Sequence, residues 1–118
     1  MPTIADYTII SENRVTLPKN NGDIDHEFSF RAPAVNAGSR SILAFRVNPS
    51  PEDVTVQMAL NGTEILTQTF NSDPQRSWHE VVQANLLQTN NNRLTVTRTA
   101  GPGEVGVSNL VLYFQADI

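Results

Sequence analysis

Cysteine is absent from this sequence of 118 residues, which removes disulfides, thiol catalysis and every cysteine-based metal site. Lysine occurs once, at Lys19, beside seven arginines, so the chain carries no polybasic patch for an anionic membrane. The 12 acidic residues outnumber the 8 basic ones and give a net charge of −4, whereas a nucleic-acid binder normally has a basic surplus. We therefore expect partners other than nucleic acid or a membrane.

Long apolar runs are also missing. No segment approaches the ~20 apolar residues that a membrane helix needs. The first residues, "MPTIADYTII", lack the basic start and the apolar run of a signal peptide. We expect a soluble chain without its own export signal. A piece of a longer protein and the cargo of a leaderless secretion route both stay open, so its localisation is unassigned.

What the sequence does contain is a period-two alternation of apolar and polar residues, interrupted by clusters of Asn, Ser, Pro and Gly. This pattern disfavours a helical domain and predicts short strands. In Ser41–Asn48 and Val54–Leu60 it predicts one buried and one outward face. The predicted strands are Tyr7–Ile10, Arg14–Leu17, a segment around Phe28 and Phe30, Ser41–Asn48, Val54–Leu60, Glu64–Phe70, Trp78–Val82, Arg93–Thr99 and Val105–Gln115.

Three local features refine this pattern. Asn61-Gly62 between two strands predicts a tight hairpin, because both residues tolerate the positive φ angles of such a turn. Asn61-Gly62-Thr63 is also a glycosylation sequon, which we interpret as incidental in a chain without a signal peptide. The buried parity of the last strand changes near Ser108-Asn109, which predicts a β-bulge. A single helical turn is predicted at Ala84–Leu87.

The fold class that these elements predict is all-β, with about eight antiparallel strands in two sheets of a jelly-roll β-sandwich. The length lies within the range of one domain, and no linker or repeat divides the chain. We therefore predict a single β-sandwich domain over residues 1–118.

From residue 41 onward, the order of features resembles the galactose-binding-domain-like jelly rolls, which include many carbohydrate-binding modules. The segments that carry the resemblance are "VTVQMALNGTEILTQTF", "WHEVV", "NLL", "NNNRLTVTRT" and "VGVSNLVLYF". They cover about two thirds of the chain. The resemblance implies a β-sandwich fold and a non-catalytic module that binds a glycan. The family also contains purely structural members, so a module that makes protein–protein contacts is the alternative.

Catalytic groups are scarce. The two histidines are His26 and His79, and the sequence contains neither G-x-S-x-G nor H-E-x-x-H. We predict that the protein is not an enzyme and that it needs no cofactor.

The stretch "NNGDIDHE" offers oxygen ligands at alternating positions, which suit a hard cation such as calcium. Jelly rolls of the resembling family often hold a structural calcium between an early loop and the end of the last strand. The resemblance thus implies a structural calcium site from Asp23, Asp25 and Asp117. A solvated turn is the competing interpretation of the same stretch.

A glycan site needs an aromatic ring that stacks on a sugar and polar groups that hold its hydroxyls. The five phenylalanines lie in apolar phase and are predicted core residues. Trp78 opens a strand just after a polar loop, a placement that suits either the rim of a site or a core anchor. Our predicted ligand-binding residues are Trp78, Arg76, His79, Arg46 and Tyr113.

Oligomerisation is the last prediction. The outward-facing Thr95, Thr97 and Thr99 form a regular β-face, which is either a wet surface with good strand propensity or a contact between copies of the chain. Two kinds of partner are therefore predicted as possible: a glycan and further copies of this chain in a homo-oligomer.

Overall fold

A computed structural model describes residues 2–17, 24–49, 52–70 and 76–118. It contains nine strands in these ranges. The described residues include no helix, and therefore no helix that could span a membrane. The strands are β1 (Thr3–Ser11), β2 (Val15–Leu17), β3 (Ile24–Phe30), β4 (Ser41–Pro49), β5 (Val54–Leu60), β6 (Thr63–Phe70), β7 (Arg76–Val82), β8 (Asn92–Ala100) and β9 (Val105–Asp117).

The strands form two antiparallel sheets. The five-stranded sheet has the order β1-β9-β4-β7, and β2 pairs with β9 beyond the end of β1. The four-stranded sheet has the order β3-β8-β5-β6. From β3 to β9 the chain crosses repeatedly between the sheets, as in a jelly roll. The predicted β-sandwich is confirmed, with nine strands where about eight were predicted.

The predicted alternation accounts for the core. Every second residue of β4, β5 and β8 is buried, and these side chains meet between the sheets. Four phenylalanines are buried there, and Phe28 is partly buried against the same cluster, so their predicted core role is confirmed. Burial of such apolar area is the main force that holds the two sheets together. Core positions of β4, β5 and β8 are Leu43, Phe45, Val47, Val54, Val56, Met58, Leu60, Leu94 and Val96.

The hairpin and the bulge are also confirmed. Asn61 and Gly62 connect β5 to β6 with φ angles of 50° and 87°, the positive values that a two-residue hairpin turn requires. In β9, Asn109 has a φ of 53°, and the pairing with β4 shifts there, since Ala44 opposes Val111 but Arg46 opposes Ser108.

The predicted helical turn at Ala84–Leu87 is wrong. The chain makes a turn at Ala84-Asn85 in which Asn85 has a φ of 70°, a left-handed conformation that a right-handed helical turn excludes. The amide of Asn85 donates to the carbonyl oxygen of Ala37 at 2.7 Å, so this turn is bonded to the loop that precedes β4.

Candidate functional site

Alternation along β7 separates the predicted site residues onto two sides of the five-stranded sheet. Arg76, Trp78 and Glu80 are partly buried and share a side with the fully buried Val82, whereas His79 is exposed on the opposite side. Trp78 and His79 are sequence neighbours on one strand, so their side chains point to opposite faces. The predicted grouping of Trp78 and Arg76 with His79 therefore does not form one surface.

Trp78 packs at the edge of the sandwich. Its ring meets Phe70 of β6 edge to face, with centroids 5.6 Å apart and an interplanar angle of 83°. Its indole Nε1 donates a hydrogen bond to Glu80 Oε1 at 3.1 Å. Trp78 is partly buried and packed against the core, as the core-anchor interpretation predicts, while its role at the rim of a binding site stays a prediction.

The outer face of the five-stranded sheet carries a row of large exposed side chains. Strand register aligns Tyr7 with Tyr113, Tyr113 with Ile42, and Ile42 with Val81, across all four main strands. Their exposed fractions are 57%, 48%, 43% and 57% in that order. The next row adds Ile9, which is also exposed, and His79. We call these six residues the aromatic face.

The centre of the aromatic face is concave. Ile42, His79 and Tyr113 line an open depression of about 350 Å³. The Tyr113 ring lies beside the Tyr7 ring, with centroids 6.2 Å apart and an interplanar angle of 43°. Two adjacent rings, an imidazole and an aliphatic floor together provide an apolar platform with polar groups at its border.

Arg46 shares this outer face but lies further along it. It is exposed and opposes Ser77 of β7 and Ser108 of β9, four residues along β4 from Ile42. At about 3.3 Å of rise per residue this separation is roughly 13 Å, beyond the depression but within the span of a longer ligand. Of the five predicted ligand-binding residues, His79 and Tyr113 therefore meet in one depression, and Arg46 lies at a distance on the same face.

The outer face of the four-stranded sheet differs in chemistry. Its side chains are polar and bond to one another: the hydroxyls of Thr55 and Thr69 lie 2.8 Å apart, and Gln57 donates to Glu64. The predicted threonine row also lies on this sheet, in β8, and is partly buried. Large exposed apolar side chains of the described strands are thus concentrated on the other sheet.

The predicted metal ligands do not lie together. Asp25 opposes Thr97 near the start of β3, whereas Asp117 opposes Thr3 at the end of β9 and accepts a hydrogen bond from Asn36 at 3.0 Å. These two positions are at opposite ends of the sandwich. Asp23 lies outside the described residues. Within the described ranges, no three His, Asp or Glu side chains form a group suited to a metal ion. Calcium binding itself stays a prediction, but Asp25 and Asp117 do not share one site.

The histidines are likewise separated. His26 lies on β3 and contacts the Phe28 ring at a centroid distance of 4.6 Å. His79 lies on β7, and β3 and β7 occupy opposite edges of the sandwich, since β1 packs near β3 and β6 near β7. The two imidazoles therefore cannot act on one substrate atom.

Sequence reasoning missed Tyr7, Ile9, Ile42 and Val81 as site residues. The alternation did predict that they point outward: Ile42, for example, is exposed next to the buried Leu43. The pairing of the first strand with the last was not readable, and this pairing places Tyr7 beside Tyr113.

Comparison with known proteins finds similar structures but no match by sequence. No protein-family model matches the chain, and no curated protein matches it. Dimeric latent PorU from Porphyromonas gingivalis is similar with a TM-score of 0.71 and 13% identity, over 99% of this chain and 13% of that one. The similarity therefore covers nearly all of this chain but only a small part of PorU.

Two further similar structures are carbohydrate-binding modules. The CBM36-1 domain of a multidomain xylanase from the hindgut metagenome of Trinervitermes trinervoides has a TM-score of 0.60 and 13% identity, over 96% of this chain and 100% of that one. A family 35 carbohydrate-binding module from Clostridium thermocellum has a TM-score of 0.60 and 14% identity, over 91% of this chain and 97% of that one. The resemblance to carbohydrate-binding β-sandwiches is confirmed, and at such identities it is a likeness of fold.

Proposed function

We propose that this protein is a non-catalytic module that binds a glycan on its aromatic face. The observation that carries the proposal is the exposed Tyr7–Tyr113 pair, with centroids 6.2 Å apart, beside the depression lined by Ile42 and His79. Exposed aromatic rings stack on the apolar faces of sugar rings, and the tyrosine hydroxyls and the imidazole supply hydrogen bonds to sugar hydroxyls. The fold shared with carbohydrate-binding modules supports the same function.

In this proposal His79 and Tyr113 keep the binding roles predicted from sequence, and Tyr7 and Ile42 join them. Arg46 contacts only a ligand long enough to follow β4. Trp78 and Arg76, on the inner side of β7, support the strand that presents His79. The proposal includes no catalytic step and no cofactor.

A glycan array followed by calorimetry on the best hit tests the proposal. Tyr113→Ala should weaken binding about fivefold or more, because it removes a stacking ring worth about 1 kcal/mol and one of the residues that line the depression. Tyr7→Ala should weaken binding to a smaller degree, since Tyr7 borders the depression without lining it. Thr67→Ala, an exposed residue of the other sheet, is the matched control and should bind as the wild type does.

Trp78→Ala distinguishes a structural role of this side chain from direct contact with the glycan. It should lower the free energy of unfolding by about 2–4 kcal/mol, since an aromatic ring leaves its packed position against Phe70. The affinity of the remaining folded protein should change less than in Tyr113→Ala. If no glycan binds, or if Tyr113→Ala binds a glycan as tightly as the wild type, the aromatic face is not a sugar site.

The alternative function is a structural or assembly module that contacts protein. One observation favours it: the aromatic face also exposes the aliphatic side chains of Ile9, Ile42 and Val81, and aliphatic side chains are common in protein interfaces. Light scattering after size exclusion tests self-association. A concentration-dependent dimer that Val81→Lys returns to monomer would favour this alternative.

A further inference from the structure

A second depression lies on the opposite sheet, where β3 ends and β8 begins. Its open volume is about 240 Å³, and it is lined by Ser29, Phe30, Arg31, Asn91 and Arg93. The strand register explains the grouping, since Ser29 opposes Arg93, and Arg31 and Asn91 directly follow β3 and precede β8. None of these residues belongs to the aromatic face.

The charge of this depression is unusual for the chain. The protein has a net charge of −4, yet the depression is lined by two guanidinium groups and by no carboxylate. Two like charges on one small concave surface repel each other unless an anion lies between them. Phe30, which is buried, is the one apolar residue of the lining.

A local hydrogen bond orients Arg31, and both arginines keep donors for a ligand. Arg31 Nε donates to Asn90 Oδ1 at 2.7 Å, a bond that uses one edge of the guanidinium group. Arg93 has an ion-pair contact with Glu27 at 3.9 Å, and both side chains are more than half exposed. Such a long, exposed ion pair contributes little, so an anion with direct hydrogen bonds can displace it. The Ser29 hydroxyl and the Asn91 amide are further donors on the same surface.

We propose that this depression binds one oxyanion group, a carboxylate, sulfate or phosphate, between Arg31 and Arg93. Planar guanidinium groups hold such anions through paired N–H donors, which lysine cannot match. The group can belong to an acidic sugar or to a free inorganic anion. The site does not depend on the aromatic face, so it can exist whether or not the glycan proposal holds.

An anion titration monitored by two-dimensional NMR at constant ionic strength tests this proposal. The probes are sodium sulfate, sodium phosphate and sodium glucuronate, and sodium chloride is the control. At least one probe should give saturable shifts in the Nε–Hε signals of Arg31 and Arg93 and in the backbone amides of Ser29 and Asn91. A response to glucuronate alone assigns the site to acidic sugars, and a response to sulfate or phosphate assigns it to inorganic anions.

Charge-removing variants complete the test. Arg31→Gln and Arg93→Gln should each lower the affinity for the anion that binds by at least threefold. Arg40→Gln removes the same charge just before β4, outside the depression, and should leave binding unchanged. Tyr113→Ala should also leave it unchanged, which separates this site from the aromatic face. Shifts that do not saturate, that chloride reproduces, or that persist equally in both glutamine variants would overturn the proposal.

Discussion

At the scale of single residues, two asparagines hold the end of the sandwich together. Asn92 is fully buried, and its Oδ1 accepts hydrogen bonds from the Gln88 amide at 2.9 Å and from Asn61 Nδ2 at 3.0 Å. Its Nδ2 donates to the Gln88 carbonyl oxygen at 2.6 Å. Asn61 also donates to the Leu86 carbonyl oxygen at 2.7 Å. The side chain of the sequon asparagine is therefore committed to the fold.

Asn92→Ala should lower the free energy of unfolding by about 2–3 kcal/mol, because it removes a fully buried side chain and its three hydrogen bonds to Asn61 and Gln88. Gln83→Ala removes an amide of similar chemistry from an exposed position and should change stability by less than about 0.5 kcal/mol. Urea unfolding of both variants measures the difference. Equal stabilities would show that the Asn92 network contributes nothing.

At the scale of elements, two turns use glycine for different reasons. Gly62 has a φ of 87° and no atom within 4 Å of an added Cβ, so only its backbone conformation requires glycine. Gly101 has a φ of 94°, and an added Cβ would lie 2.4 Å from the carbonyl oxygen of Asp53. The buried Arg98 reinforces this second turn by donating to the carbonyl oxygens of Gly101 and Gly103.

The pair Gly62→Ala and Gly101→Ala measures this difference. Gly62→Ala should cost about 1 kcal/mol, the penalty of a left-handed conformation. Gly101→Ala should cost at least about 1 kcal/mol more, since the Asp53 backbone must also move. Thermal or urea unfolding provides both values, and a Gly101→Ala variant as stable as Gly62→Ala would contradict the close approach.

At the scale of the whole molecule, the two outer faces have different chemistry, and one core joins the two sheets. A single core predicts cooperative unfolding in one step. Trp78 is the only tryptophan and packs from the five-stranded sheet against Phe70 of the other, so its fluorescence reports contact between the sheets. Unfolding followed by this fluorescence and by far-ultraviolet circular dichroism should have the same midpoint. Separate midpoints would contradict a single domain over residues 1–118.

The sequence by itself determined the strands, their buried faces, the Asn61-Gly62 hairpin and the bulge at Asn109, because alternation and turn propensity act between residues close in the chain. It misassigned Ala84–Leu87, where Asn85 has a left-handed conformation and bonds to Ala37 of a distant loop. Tertiary structure alone decided which residues share a surface. Tyr7 meets Tyr113 only because the first strand pairs with the last, and Trp78 leaves the predicted site only because its side of β7 faces the other sheet. Such contacts depend on strand pairing between distant segments, which local sequence patterns do not encode.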